Sequence, residues 1–169
     1  INELLMKARK ITVAQPQLLA DWSSLSTDTI ANHAFLLNNK IYGFGPTNAN
    51  ILSFDLLTKE SKLTTPPIEV KNFQDASVPK ENDYAILLYG DKNFAAFNSP
   101  DNSWKKIDIS FPATNTKISS AIIYNRRLYS LDTENNQIYK HDTIANGFSQ
   151  GKSWLENNAT DLKSGQDIS

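Results

Sequence analysis

The stretch NANILSFD, residues 48–55, decides the fold because the chain repeats it twice, as KNFAAFN (92–98) and NQIYKHD (136–142). When the three stretches are aligned on their first apolar residue, Ile51 and Phe94 lie 43 positions apart, and Phe94 and Ile138 lie 44 apart. A period of this length is the sequence signature of repeat architectures such as propellers and solenoids. The chain is therefore expected to consist of repeated structural units.

Each repeated stretch belongs to a predicted β-hairpin. Ten residues upstream of Ile51, Phe94 and Ile138 stand the similar runs KIYGFG, DYAILLYG and RLYSLD. These runs are rich in the aromatic and branched residues that suit a pleated surface. Short polar turns, PTNAN, DKN and TENNQ, separate each run from the strand that follows it. The pattern predicts two antiparallel strands per unit.

Two further strands complete each unit. One precedes the hairpin, at 29–37, 73–79 and 117–124, and one follows it, as KLTTPP (62–67), SWKKIDIS (103–110) and FSQGKSWL (148–155). Four short strands in about 44 residues are the content of one propeller blade. The sequence therefore predicts an all-β fold, a partial β-propeller of about three four-stranded antiparallel blades. We place these units at about 29–72, 73–116 and 117–160, within a propeller domain spanning 11–169.

The two ends predict what adjoins these units. The stretch NELLMKARK places apolar residues on one side of a short helix, so residues 1–10 are expected to be the end of a helical stalk or linker. The segment from Leu19 to Trp22 is expected to finish a preceding blade, and Asp167 to Ser169 to begin another. Since three units cannot close a ring of 4 to 8 blades, we expect further blades in the same, longer chain.

Composition excludes several classes of function. Lys plus Arg number 17 and Asp plus Glu 18, giving a formal charge of -1 and no field that would attract nucleic acid or an anionic membrane. The absence of cysteine excludes disulfides, thiolate metal sites and cysteine nucleophiles. The longest apolar runs, such as residues 85–89, are far shorter than the ~20 residues of a spanning helix. We expect no nucleic-acid partner and no membrane insertion by this segment.

The two histidines and the Asp and Asn residues at strand ends are expected to have structural roles. His33 and His141 are the only histidines, and a stable zinc site needs three or four ligands. Asp55, Asn98 and Asp142 recur at the ends of third strands, where they could line a channel. We expect them instead to hold turns by accepting backbone hydrogen bonds.

No catalytic or cofactor motif is present. DTENNQ (132–137) lacks the glycine and the bidentate glutamate of a calcium loop, and neither a nucleophile elbow nor a phosphate-binding glycine loop occurs. The sequence therefore predicts no catalytic, cofactor-binding or metal residues and no cofactor. Trp22, Trp104 and Trp154 adjoin predicted fourth strands, where packing between blades is favoured over sugar stacking.

The first unit, KIYGFG followed by NILSFDLLTKESKL, resembles a kelch-type propeller blade, with a glycine-ended second strand and a third strand that closes on an aromatic residue and Asp. Trp104 stands where such blades often carry a tryptophan. The paired glycines are Gly43 and Gly45 in the first unit, only Gly90 remains in the second, and the third has none. The resemblance covers residues 29 to about 155 and implies a kelch-like propeller.

A second resemblance concerns the flanks. PQLLADWSSL (16–25) and KSWLENNATDLKSGQDIS (152–169) are similar to the propeller region of uncharacterised membrane-anchored proteins of ultra-small uncultured bacteria. This similarity implies the extracellular or cell-surface side of a membrane-anchored protein, while a cytoplasmic location stays open.

Two functional classes fit the sequence. The first is a non-catalytic interaction module that binds a protein or glycan partner as part of a larger surface protein. The second is the scaffold portion of a propeller enzyme whose catalytic residues lie elsewhere. An enzyme would need acidic or histidine side chains converging on the first strands of the blades. The predicted first strands carry Asp75 and His33 but are otherwise mostly neutral, so the sequence favours binding and no enzymatic activity. A passive spacer is a third alternative.

Overall fold

The computed structural model describes residues 15–70, 72–80, 83–156, 161–165 and 167–168. These residues form thirteen β-strands and no helix, which confirms the all-β prediction for them. The helix predicted for residues 1–10 lies outside the described residues. Within the described ranges, no helix has the length and apolar character needed to cross a membrane.

The strands form three successive antiparallel meanders. The first contains β1 (His33–Leu37), β2 (Lys40–Phe44), β3 (Ile51–Asp55) and β4 (Ser61–Thr64), paired in that order as a sheet of their own. The second contains β5 (Phe73–Ser77), β6 (Tyr84–Tyr89), β7 (Asn93–Asn98) and β8 (Ser103–Ser110). The third contains β9 (Ile118–Tyr124), β10 (Arg127–Asp132), β11 (Gln137–Ile144), β12 (Gly147–Gln150) and β13 (Lys152–Ser153).

The second and third meanders share one nine-stranded sheet, ordered β5-β6-β7-β8-β12-β11-β10-β9, with β13 paired to β11. Ile51 lies in a separate sheet, but Phe94 and Ile138 share this one, so the expectation of a separate sheet for each unit is wrong for the last two. The cause is the parallel pairing of β12 with β8, in which Gly147 is opposite Asp108. A Cβ on Gly147 would lie 2.2 Å from the backbone oxygen of Asp108, so only glycine allows this approach.

The fourth strand predicted for the third unit, residues 148–155, is also corrected. It divides at Gly151 into β12, which pairs with β8 and the end of β11, and β13, which pairs with Tyr139 and Lys140. Gly151 packs against the ring of His141, and its N–H donates to the carbonyl of Ser110. The chain bends here because it passes closely over the buried imidazole.

Two hydrophobic cores hold the meanders face to face. The first lies between the first and second meanders and includes Phe44, Phe73, Leu87 and Phe97. The second lies between the second and third and includes Leu88, Phe94, Leu128 and Phe148. Successive residues of β6, such as Leu87 and Leu88, enter opposite cores because successive side chains of a strand point to opposite faces. The second meander is therefore covered on both faces.

The flanking segments differ from the predicted strands. Residues 15–22, 161–165 and 167–168 form no strand. Trp22 nevertheless packs on the first meander, where its ring fills the space that a Cβ of Gly43 would need. Trp154 is 50% exposed among the described residues, so its predicted packing between blades stays a prediction that requires a further blade. Its ring lies edge-on to Tyr129, with Lys140 above it, on the face turned away from the second meander.

Candidate binding surface

The first strands of the second and third meanders lie side by side. The N–H of Ala121 in β9 donates to the Asp75 carboxylate in β5 at 2.8 Å, and the N–H of Ile123 donates to the Ser77 hydroxyl at 2.9 Å. Because both contacts link positions 46 apart, β5 and β9 run in the same direction. Matching turns of the two meanders consequently lie at the same end of the sheets.

We call this end the turn end. It carries the turns that follow β1, β3, β5, β7, β9 and β11, since alternate turns of an antiparallel meander fall on one side. The first meander is aligned the same way, because the Tyr42 hydroxyl lies 2.8 Å from that of Ser99 in the turn after β7, whereas Phe44, farther from this end, contacts Phe73 at the start of β5. In the third meander, the Asn146 side chain accepts a hydrogen bond from Lys105 at the start of β8.

The turns at this end have fixed conformations. Asn38 and Asn39 after β1 have φ of 49° and 59°, and Asn125 and Arg126 after β9 have φ of 47° and 61°. Two central residues with positive φ define a type I′ hairpin turn, which matches the twist of the strands that it joins. Asparagine tolerates this conformation well, whereas arginine adopts it rarely. The turns after β1 and β9 therefore have the geometry of tight two-residue hairpin turns.

Asp55 fixes the turn after β3, as predicted. Its carboxylate accepts hydrogen bonds from the N–H groups of Leu57 (2.8 Å) and Thr58 (3.1 Å). These bonds, more than the nearby Lys40 ammonium, hold the pKa of Asp55 below its usual value.

Three large apolar side chains are exposed at the turn end. Leu57 is 75% exposed after β3, Tyr124 is 69% exposed at the end of β9, and Ile144 is 50% exposed at the end of β11. None of the three was predicted from the sequence as a functional residue. The sequence signal for such exposure is a large apolar residue directly beside a polar turn, because the strand face that would bury it ends there.

Asp142 does not hold a turn as predicted. It lies directly opposite Arg127 in the β10–β11 ladder, and its carboxylate accepts a 2.9 Å hydrogen bond from the Arg127 Nε. Lys152 approaches the other carboxylate oxygen at 3.7 Å. The hydrogen bond from Arg127 is the main reason why the pKa of Asp142 is lowered. The residue that fixes a turn in this meander is Asp132, which accepts hydrogen bonds from the backbone and side chain of Asn135 within DTENNQ.

The two histidines lie in different sheets. His33 stacks on Phe44 in the first meander, with ring centroids 5.4 Å apart. His141 is fully buried in β11; its Nδ1 lies 2.9 Å from the Ser149 carbonyl and its Nε2 lies 3.1 Å from the Ser130 hydroxyl. Burial lowers the pKa of His141. Across the ranges that the structure describes, no three histidine or carboxylate side chains are grouped as metal ligands.

Asp75, the acidic residue predicted on a first strand, is half-buried in β5 and meets a second carboxylate that the sequence did not predict there, that of the exposed Asp167. Ser120 in β9 lies 2.9 Å from the carboxylates of both Asp75 and Asp167. Burial, with a smaller contribution from the charge of Asp167, raises the pKa of Asp75. Because the three residues are 45 or more positions apart, no local sequence signal could have brought them together.

No protein-family model matches the chain, and no curated protein matches it. Among solved structures, the chain is similar to the β-propeller domain of Cps50 (Swd1) from Myceliophteria thermophila, with a TM-score of 0.53 and 10% identity over 73% of this chain and 38% of that one. It is also similar to U3-55K, with a TM-score of 0.51 and 10% identity over 78% of this chain and 44% of that one. A third similar structure is that of the RRP9 WD40 repeats, with a TM-score of 0.50 and 11% identity over 75% of this chain and 42% of that one.

The chain therefore spans less than half the length of each of these solved chains. At identities of 10 to 11% the similarity concerns the fold alone. Together with the face-to-face antiparallel meanders, it shows that the described residues have a β-propeller-like fold.

Proposed function

We propose that this chain is a non-catalytic interaction module whose turn end binds a partner protein. The observation that carries the proposal is the exposure of Leu57, Tyr124 and Ile144 at one end of the sheets, where Tyr124 adjoins a type I′ turn and Leu57 lies in the turn held by Asp55. Single exposed apolar residues are ordinary, but a set presented at tight, hydrogen-bonded turns is expected to lose less conformational entropy on binding than one on a long loop. Tyrosine is also among the residues that most often dominate interface energies.

The proposal includes the larger assembly. The units at about 29–72, 73–116 and 117–160 are consecutive blades of a larger ring, and further blades of the same chain cover its two outward faces. The aromatic groups Tyr129 and Trp154 on one outward face, and Leu36, 59% exposed on the other, support this arrangement. The kelch type rests on Gly43, Gly45 and Trp104, and the extracellular side of a membrane-anchored protein rests on the resemblance of the flanks.

The experiment compares three forms of the chain as immobilised bait: wild type, Tyr124→Ser combined with Ile144→Ser, and Ile30→Ser. Ile30 is the matched control, since it is 62% exposed but its N–H contacts Thr47 in the turn after β2, at the opposite end. A protein captured by wild type is purified, and its affinity for each form is measured by calorimetry. We expect the double variant to lose at least about tenfold in affinity and the control to bind as wild type. Equal loss in both, or no loss in either, would refute the turn end as the binding surface.

A second candidate is the scaffold of a propeller enzyme, favoured by the convergence of Asp75 and Asp167 on Ser120. The test is a screen of chromogenic glycosides, esters and phosphates with wild type and Asp75→Asn. Turnover that is lost in the variant at an unchanged unfolding midpoint would support the enzyme. If instead wild type shows no turnover and Asp75→Asn only lowers the unfolding midpoint, the role of these residues is structural, namely to link β5 to β9.

A further inference from the structure

Residues 161–165 and 167–168, which we call the strap, lie across the third meander. The N–H of Leu162 donates to the side chain of Asn136, in the turn after β10. The N–H of Ile168 is directed at the Ser120 hydroxyl in β9 at 3.4 Å. Between these contacts the strap makes a turn, in which the Gly165 N–H donates to the Leu162 carbonyl at 2.8 Å. The strap is therefore attached near both of its ends.

The strap covers an apolar side chain of the third meander. Leu131 in β10 is 2% exposed, although it belongs to neither of the two cores between meanders. It is two residues from Tyr129 and therefore lies on the same face of the strand, turned away from the second meander. A Cβ on Gly165 would lie 3.1 Å from the Leu131 side chain, so the strap passes directly over it. Release of the strap would expose Leu131.

Three oxygen atoms meet where the strap joins the first strands. The Ser120 Oγ lies 2.9 Å from the Asp75 Oδ2 and 2.9 Å from the Asp167 Oδ1, and both are hydrogen-bond distances. A serine hydroxyl has one hydrogen and two lone pairs, so it can donate to only one of the two carboxylates. The other contact is a hydrogen bond only when that carboxyl group carries a proton and donates it to Ser120.

One added proton satisfies every group at this contact. Ser120 then donates its own hydrogen to one carboxylate and accepts from the other carboxyl group and from the Ile168 N–H, which uses both lone pairs. Asp75 also accepts the N–H groups of Ala76 and Ala121, each at 2.8 Å. Without the added proton, a lone pair of Ser120 faces a charged oxygen, and two negative charges lie on either side of one hydroxyl.

The two carboxyl groups differ in their access to water. Asp75 is half-buried, whereas Asp167 is exposed. Burial is the main reason why the pKa of Asp75 is raised, and among the charges of the described residues that of Asp167 adds to it. The elements beside this contact carry further charged or titratable side chains, namely His33 on β1, Tyr84 and Tyr89 on β6, Lys117 and Tyr124 at the two ends of β9, Arg127, Tyr129 and Asp132 on β10, and Asp161 and Lys163 on the strap.

We propose that the strap is a proton-controlled latch, closed over the third meander when Asp75 and Asp167 share one proton through Ser120 and released when both carboxylates are ionised. In the released state Asp75 keeps the hydrogen of Ser120 and the Ala121 N–H, while Asp167 moves into water and takes the strap with it. The latch is attached at the turn after β10, which lies opposite the turn end, so it goes beyond the proposed protein-binding function and does not depend on it.

The pH range of the latch follows from its acidic pair. The folded chain holds the shared proton to a higher pH than the unfolded chain, because the pKa of Asp75 is raised in the fold. The contribution of the latch to stability is therefore complete near about pH 4, the usual range of an aspartate, and is lost as the pH rises past the raised value. Since the two groups are coupled through Ser120, they titrate as a pair.

Amide order parameters from NMR relaxation at pH 4.5 and pH 7.5 test the latch, with a chelator present so that no cation can bridge the carboxylates. We expect Gly165 and Ile168 to have values near 0.85, roughly those of rigid backbone, at pH 4.5 and below about 0.6 at pH 7.5. Leu88 in the middle of β6 should stay rigid at both. Equal order of the strap at the two pH values, or a loss of order that includes Leu88, would overturn the proposal.

Variants identify the proton. Asp167→Asn carries an amide that donates to Ser120 without an added proton, so its strap is expected to be ordered at both pH values. Lys163→Gln is the matched control, because it removes an exposed charge of the strap and leaves the hydrogen bonds to Ser120 in place. It should keep the pH dependence of wild type. If Asp167→Asn keeps that dependence or is disordered at pH 4.5, or if Lys163→Gln abolishes it, the proposal is wrong.

Discussion

Trp104 and Phe97 face each other in register across β7 and β8, with ring centroids 4.7 Å apart. Trp104 also stacks on Phe73 at 5.6 Å, so it joins the outer strand of the second meander to the core shared with the first. Its indole N–H is buried and has no hydrogen-bond partner among the described residues. The favourable energy of this side chain therefore comes from its rings.

We expect Trp104→Ala to lower the free energy of unfolding by about 3 to 5 kcal/mol, because it leaves a cavity beside Phe73 and Phe97. Trp104→Phe is the matched variant, since it keeps an aromatic ring and removes the unpartnered N–H; it should cost much less. Urea denaturation followed by circular dichroism measures both. A loss of less than about 1 kcal/mol for Trp104→Ala would contradict the packing role.

His141 makes stability depend on pH. Both of its nitrogens are used by Ser130 and the Ser149 carbonyl, and burial lowers its pKa. The unfolded chain therefore takes up this proton at a higher pH than the folded one, so its contribution to stability is complete above about pH 6.5 and is lost as the pH falls. We expect the free energy of unfolding to decrease by at most about 1.4 kcal/mol per pH unit below that point from this group.

The control for this prediction is His141→Phe, which places the aromatic residue of the other two units, Phe54 and Phe97, at the same position. The variant should be less stable at neutral pH because the Ser149 carbonyl loses its donor, but the part of the pH slope due to His141 should disappear. Identical slopes in both proteins between pH 5.5 and 7.5 would show that another group titrates.

Gly147 permits the parallel contact of β12 with β8. A methyl group there would meet the backbone of Asp108 at 2.2 Å, so Gly147→Ala must separate the strands or shift the turn. We expect a loss of about 1 to 3 kcal/mol in the free energy of unfolding, the usual cost of overpacking. Lys152→Ala in β13 serves as the control, since its side chain is 72% exposed. Equal stability of Gly147→Ala and wild type would mean that the contact is easily displaced.

No metal requirement is expected, since the sequence offers two scattered histidines, no cysteine and no complete calcium loop. Thermal unfolding with and without a chelator should superimpose. An unfolding midpoint lowered by several degrees in chelator would contradict this prediction and would indicate a metal site at the carboxylates of Asp132 or of Asp75 and Asp167.

The 43- and 44-residue spacing was enough to predict the hairpins, because Ile51, Phe94 and Ile138 occupy nearly the same position in β3, β7 and β11. The turn role of Asp55 was also predictable, because Asp at the end of a strand often accepts hydrogen bonds from the following backbone N–H groups. The period could not predict that equivalent positions have different roles in different units. Asp55 fixes a turn, while Asp142 pairs with Arg127 on the neighbouring strand.

The contacts between units were not predictable for a related reason. The pairing of Gly147 with Asp108, and the meeting of Asp75 and Asp167 at Ser120, join residues about 40 or more positions apart. Such contacts depend on how the meanders are stacked, and neither hydrophobic alternation nor turn residues encode that stacking. The exposed turn residues Leu57, Tyr124 and Ile144 were missed because alternation describes strand faces and not strand ends.

The short parallel link between β8 and β12 also bears on how the molecule comes apart. It makes the second and third meanders one continuous hydrogen-bonded body, whereas the first meander is a sheet of its own that adheres through side chains. Cooperative units of opening tend to follow such boundaries. We therefore expect strands β1 to β4 to open as a separate foldon, exchanging their amide hydrogens and unfolding under mechanical tension before the second and third meanders do.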